Sequence, residues 1–92
     1  MKTIYKYQLD VTGTQLIKMP VGADPFTAEF QGNLLCIWAA VNSEEEEVED
    51  REFRIFGTGE PLDMTGGVFR FLNTVHHESG VWHIFTRVPN NG

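Results

Sequence analysis

Apolar and polar residues alternate one by one through much of this chain, and a two-residue period fits a strand with one covered face rather than a helix. In residues 3–9, Tyr5, Tyr7 and Leu9 share one face while Lys6 and Gln8 take the other. A turn over Val11-Thr12-Gly13-Thr14 leads into a short strand, Gln15 to Met19, which Pro20 stops because proline has no amide hydrogen for a ladder. Phe26 to Gln31 and Leu34 to Val41 flank Gly32-Asn33, residue types that accept the positive φ of a tight hairpin. The second run, LLCIWAAV, is apolar on both faces and is expected at the centre of a sheet, covered from both sides. A helix of that length is also open to it, but the flanking turn and the acidic stretch that follows favour the strand.

Arg51 to Phe56 alternates again, with Phe53 and Ile55 on one side and Arg54 on the other, and Gly57-Thr58-Gly59 ends it as a tight turn. Residues 60–67 (EPLDMTGG) read as a loop. Val68 to His76 and Val81 to Val88 form a last hairpin through His77-Glu78-Ser79-Gly80, and the tail over residues 89–92 is expected to be flexible. The 92 residues make one domain, because a chain this short does not close two cores. The class is therefore all-β or a β-rich α+β fold: a single antiparallel sheet, a small sandwich or a partly open barrel of about six to seven strands. At most one short helix is expected, near residues 43–50, where Ser43 and Glu46 have the spacing of a capping box.

Charge is concentrated in residues 43–52, SEEEEVEDRE, which hold seven acids against one base, Arg51. Elsewhere acids and bases balance at six each, so the net charge of −6 belongs to this acidic loop. Such a chain does not bind a nucleic-acid backbone by itself, since several lysines or arginines must replace the condensed counterions. It is well suited to a basic protein.

Sites of reaction chemistry are not legible. The two serines, Ser43 and Ser79, stand in loops outside any nucleophile elbow, and Gly57-Thr58-Gly59 lacks the third glycine and the helix of a phosphate-binding turn. The histidines, His76, His77 and His83, have zinc-ligand chemistry, with Glu78 beside them, but adjacent strand residues point to opposite faces. No enzyme, cofactor or metal is expected. Cys36 stands alone in an apolar run and fits a reducing compartment. The N-terminus lacks the apolar stretch of a signal peptide, and no run is long enough to span a membrane, so the expected location is the cytoplasm.

The candidate partner-binding residues are Glu44, Glu45, Glu46, Glu47, Glu49 and Asp50, which would compete with phosphates for a Lys- or Arg-rich channel. Phe53, Phe69 and Phe71 are expected with the core. Arg54 and Arg70, on the opposite face, are then the polar contacts. Alternatives are a module that sequesters a signalling nucleotide, using Arg54, Arg70 and Trp82, and a structural or virion-associated protein.

The segments KTIYKY at residues 2–7, Met19-Pro20, Trp38-Ala39-Ala40-Val41, FRIFGTGEPL at 53–62 and VWHIF at 81–85 together resemble a family of small phage and prophage proteins. The resemblance spans most of the chain and implies a shared fold and a phage origin. The acidic insertion after Val41 departs from that family, which has a shorter Pro- and Asp-containing loop there. By analogy of class, size and acidity are similar to those of anti-CRISPR proteins: non-enzymatic inhibitors that bind a host defence complex. A type I surveillance complex, with its basic DNA channel, is the expected target in the host bacterial cytoplasm.

Overall fold

The two-residue alternation is realised as seven strands: β1 (Lys2–Leu9), β2 (Gly13–Pro20), β3 (Asp24–Gln31), β4 (Leu34–Asn42), β5 (Val48–Gly57), β6 (Phe69–His77) and β7 (Gly80–Arg87). The computed structural model describes residues 1–11, 13–78 and 80–89. Thr12 and Ser79 of the expected turns, and the tail from Asn90 to Gly92, lie outside the described residues. The strands form two antiparallel sheets, one ordered β1-β4-β3 and the other β2-β5-β7-β6. The protein is all-β, and among the described residues the acidic stretch contains no helix.

The acidic loop is shorter than the expected residues 43–52. β5 begins at Val48, opposite Pro20, so the connection from β4 is only residues 43–47 and the remaining acids belong to a strand. β2 likewise starts at Gly13 and includes Pro20.

Side chains of alternate residues from both sheets meet in one core. Leu35, Ile37, Ala39 and Val41 from β4 pack in the same cluster as Phe53, Ile55, Val75 and Ile84 from the other sheet, with Leu9 and Met19 at its margins. Each large side chain removed from water contributes roughly 1.5–3 kcal/mol. β4 is central in its sheet, but it is not sealed on both sides: Trp38 and Ala40, on the outer face, keep part of their surface exposed. Gly32 supplies the positive φ, 61°, of the β3–β4 turn.

The two sheets are tied where β3 runs beside β6. These edges share no ladder, so side chains of the larger sheet satisfy the backbone of β3 instead. Asn73 does so with both ends of its amide: Ala28 N–H donates to Asn73 Oδ1 (2.8 Å), and Asn73 Nδ2 donates to Ala28 O (2.7 Å). Arg70 Nη2 donates to Pro25 O at 2.6 Å. Both strands carry an irregularity here, between Pro25 and Thr27 in β3 and between Phe71 and Asn73 in β6. Such a bulge re-aims the residues after it, and in β6 it leaves both Arg70 and Asn73 directed at β3.

Asn73→Ala leaves an amide and a carbonyl of Ala28 without partners, and is expected to cost about 2–3 kcal/mol in urea unfolding. Hydrogen exchange at the Ala28 amide should accelerate in that variant, while exchange at Ile37, within β4, follows global stability alone.

Candidate protein-docking site

β4 and β5 lie in different sheets, so residues 43–47 must cross from one layer to the other. Three backbone bonds fix the crossing: Ser43 N–H to Met1 O (2.9 Å), Glu45 N–H to Asn42 O (3.0 Å) and Val21 N–H to Glu47 O (2.9 Å). Asn42 Oδ1 accepts from the Glu44 amide at 3.1 Å, and Glu45 Oε2 accepts from the Glu47 amide at 3.2 Å. Side-chain caps thus take amides that a helical turn would have used, which avoids stacking four like charges on one short helix.

The acids of the run have separate fates. Glu44, Glu46 and Glu47 are exposed, with Glu44 Oε2 2.9 Å from the Met1 amino group, while Glu45 is half-buried. Once the strand begins, alternation sends Asp50 outward, where Lys18 Nζ lies 2.9 Å away, and Glu49 inward. Glu49 Oε2 accepts from the Gly22 amide at 3.1 Å and stands 4.0 Å from Arg51 Nη1. Glu49 therefore secures the β2–β3 connection while about a third of its side chain stays exposed.

Arg51 is the residue that sequence reasoning missed. It is only 5% exposed, and its Nη1 donates to Ala23 O. Burial lowers its pKa, neighbouring Glu49 and Asp24 raise it, and the like charge of Arg70 lowers it again. The signal was present in the spacing: Arg51 is in phase with Phe53 and Ile55, and so had to point inward with them.

The two arginines expected as partner contacts are also engaged internally. Arg54 Nε donates to Glu52 Oε2 (2.7 Å), Nη1 donates to Asp63 O (2.9 Å), and its guanidinium lies 4.2 Å from the centre of the Phe69 ring. Glu52 also faces Arg87 Nη1 at 3.8 Å. The Arg87 side chain passes so close to Gly67 that a Cβ there would come within 2.5 Å of its Nε. Arg70 serves the seam, where it also meets Asp24 Oδ1 at 3.3 Å.

Phe53 is in the core, but Phe69 and Phe71 are not. Phe71 is 50% exposed and packs on Phe85 at 5.3 Å, on the outer face where Arg54 covers Phe69. The expected separation of these phenylalanines from Arg54 is therefore reversed. In a sheet with one solvated face, period two assigns residues to two sides without saying which side is wet.

Two of the three histidines, His83 and His77, have local partners. His83 lies between two threonines, with Thr58 Oγ1 2.8 Å from Nε2 and Thr74 Oγ1 2.8 Å from Nδ1. His77 Nε2 is 3.0 Å from Asn33 Oδ1, and its ring is stacked 4.6 Å from Phe30. Among the described residues no group of three or more His, Cys, Asp or Glu side chains is placed to hold a metal ion. Nor does any helix among them have the length and apolarity to cross a membrane.

Exposed at this end of the molecule is a rim of three carboxylates, Glu46, Glu47 and Glu44, the last paired with the Met1 amino group, beside the exposed side chains of Val21 and Val48. The chain belongs to the family described as a domain of unknown function, DUF7352, whose model matches residues 1–92. No curated protein matches the chain significantly. No solved structure does either.

Replacing Arg51 with Met leaves Ala23 O and Glu49 without their cation. An expected loss of about 2–4 kcal/mol in chemical denaturation follows, with the Gly22 and Ala23 amides exchanging fastest. A second expectation concerns the loop that Arg54 holds. The Thr65 amide and then its hydroxyl hold Asp63 below the ordinary carboxylate range. That contribution is complete above the unfolded pKa of an aspartate and is lost as pH falls through the lowered folded value. In Thr65→Val the Asp63 carboxyl, followed by NMR titration, should move back toward the ordinary value.

Proposed function

We propose that this protein is a non-enzymatic binding domain that docks its acidic end on a basic, nucleic-acid-binding protein and blocks nucleic-acid entry. One observation carries this reading. The carboxylates of Glu44, Glu46 and Glu47 project from a backbone held by three hydrogen bonds, next to Val21 and Val48, which are 39% and 56% exposed. An ordered acidic rim loses little entropy on binding and steers a cationic partner, while exposed apolar residues supply the contact that fixes it. Asp50 extends the rim along β5. Glu45 and Glu49 support it by accepting from the Glu47 and Gly22 amides, whereas Arg54 and Arg70 are engaged elsewhere, with Asp63 and Pro25.

The specific form of the proposal follows from the resemblance to phage proteins. The partner is a host defence assembly such as a type I surveillance complex, met in the bacterial cytoplasm, and the protein is a stoichiometric inhibitor of the anti-CRISPR class. A nucleotide-sequestering site built from Arg54, Arg70 and Trp82 finds less support. Arg54 lies on the outer face, Arg70 spans the seam, and Trp82 packs inward near Phe30 at 5.8 Å.

The test is competition between this protein and target DNA for the purified surveillance complex. Glu44→Gln, Glu46→Gln and Glu47→Gln combined should weaken binding by about tenfold or more and flatten its dependence on salt. Unchanged affinity in the triple variant removes the acidic rim as the docking element.

A further inference from the structure

β7 pairs with the second half of β5 and not with its start. β5 pairs with β2 from Val48 to Ile55, whereas its ladder with β7 covers only Phe53 to Gly57. Beyond Arg87 the chain turns toward β6: Val88 N–H donates to Val68 O at 2.7 Å, and Pro89 has no amide hydrogen to give. Among the described residues, 48–52 of β5 therefore have a strand on one side and none on the other.

Ladder alternation identifies the main-chain groups that face the open side. Glu47 O accepts from Val21 N–H on the β2 side, and Glu52 O accepts from Thr86 Oγ1 (3.1 Å) on the β7 side. Glu49 and Arg51 consequently bond β2, while Val48 and Asp50 turn N–H and C=O, and Glu52 its N–H, to the gap. Pro20 opposite Val48 fits the same alternation, because that pair asks for no amide hydrogen from Pro20.

The gap opens on both faces of the sheet. A cleft of about 390 Å³ reaches Leu16, Asp50 and Glu52, and another of about 300 Å³ lies under Ala23 and Asp24. Glu49, Arg51, Arg87, Val88 and Pro89 wall both, and the Arg87 guanidinium is turned to Glu52 at 3.8 Å.

We propose that the open edge of β5 over residues 48–52 accepts an extended, lysine- or arginine-bearing segment of a protein partner as an added strand. The proposal rests on the acidic-docking reading and specifies how that docking is made. Charge selects the occupant: Asp50 stands on the outer side of the slot, and the rim of Glu44, Glu46 and Glu47 adjoins its end. The outer edge of the other sheet, β1, carries Lys2 and Lys6 and repels the same segment. Side chains of an added strand alternate. Basic residues on the outer side meet Asp50, and small uncharged residues fit the inner side, where Arg51 and Ala23 already fill the space. Main-chain bonds supply affinity and this alternation supplies selectivity.

The probe is an acetylated seven-residue peptide of alternating lysine and valine, titrated into the full-length protein and followed by amide NMR and hydrogen exchange. The amides of Val48, Asp50 and Glu52 should shift and exchange more slowly. The same peptide with alternate backbone nitrogens methylated should bind at least about tenfold more weakly, because it cannot complete the ladder. Asp50→Pro removes an N–H that the β2 ladder does not use, and should weaken binding to a similar degree. Asp50→Asn keeps the amide and loses only the charge that meets the basic residues, so it should weaken binding clearly less than Asp50→Pro does.

Equal binding of the methylated peptide, or equal affinity of the Pro and Asn variants, overturns strand addition while leaving acidic docking in place. Protection along β1 in place of β5 also overturns it. So does slow exchange at Val48 and Asp50 that appears with rising protein concentration and no peptide, which would make a second copy the occupant. Failure of the docking reading itself is seen elsewhere, in unchanged partner affinity of the triple Gln variant.

Discussion

A backbone group that loses its ladder partner must find another, and the exposed edge of β3 imposes this requirement on the whole molecule. The larger sheet answers it with side chains. Arg51 reaches Ala23 O, Arg70 reaches Pro25 O, and Asn73 takes both polar groups of Ala28. Three residues on two strands thus stand in for the missing neighbour strand. The result joins two small sheets, of three and four strands, around one core that neither could enclose alone. Most of the scarce positive charge of the chain is spent on this and on the Glu52 cluster, which leaves the negative charge in excess at the surface.

The strand count and the all-β class were legible because alternation and turn residues agree in almost every segment. Phe53, Ile55 and the alternate residues Leu35, Ile37, Ala39 and Val41 of β4 are buried as their spacing requires. The partition into two sheets was not legible, since pairing between β2 and β5, or β1 and β4, joins residues far apart in the chain. The same limit applies to the candidate site. Composition identifies a run of acids, but only the start of β5 at Val48 separates those that face solvent from Glu49, which turns inward. Arg51 and Asn73 are polar residues in core-facing phase, and a reading that equates polarity with exposure passes over both.

The acidic segment is therefore two structures in one stretch of sequence. Its first half crosses between sheets and displays carboxylates. Its second half is strand, with one side hydrogen-bonded to β2 and, among the described residues, no strand on the other where β7 departs. Charge and unpaired backbone are adjacent because a single turn, at residues 43–47, delivers the chain into β5. A surface of this kind combines long-range attraction with short-range direction.

The paired bulges constrain how the chain can change length. On β3 the clasped residues Pro25 and Ala28 are three apart, on β6 their partners Arg70 and Asn73 are three apart, and each interval contains one bulged position. Deleting a residue from one interval alone puts the two clasps out of step by about 3.3 Å, the rise of one strand residue. Deleting one from both restores the match. Insertions and deletions in these two strands, forty-five positions apart in the sequence, are thus tolerated only as a coupled pair.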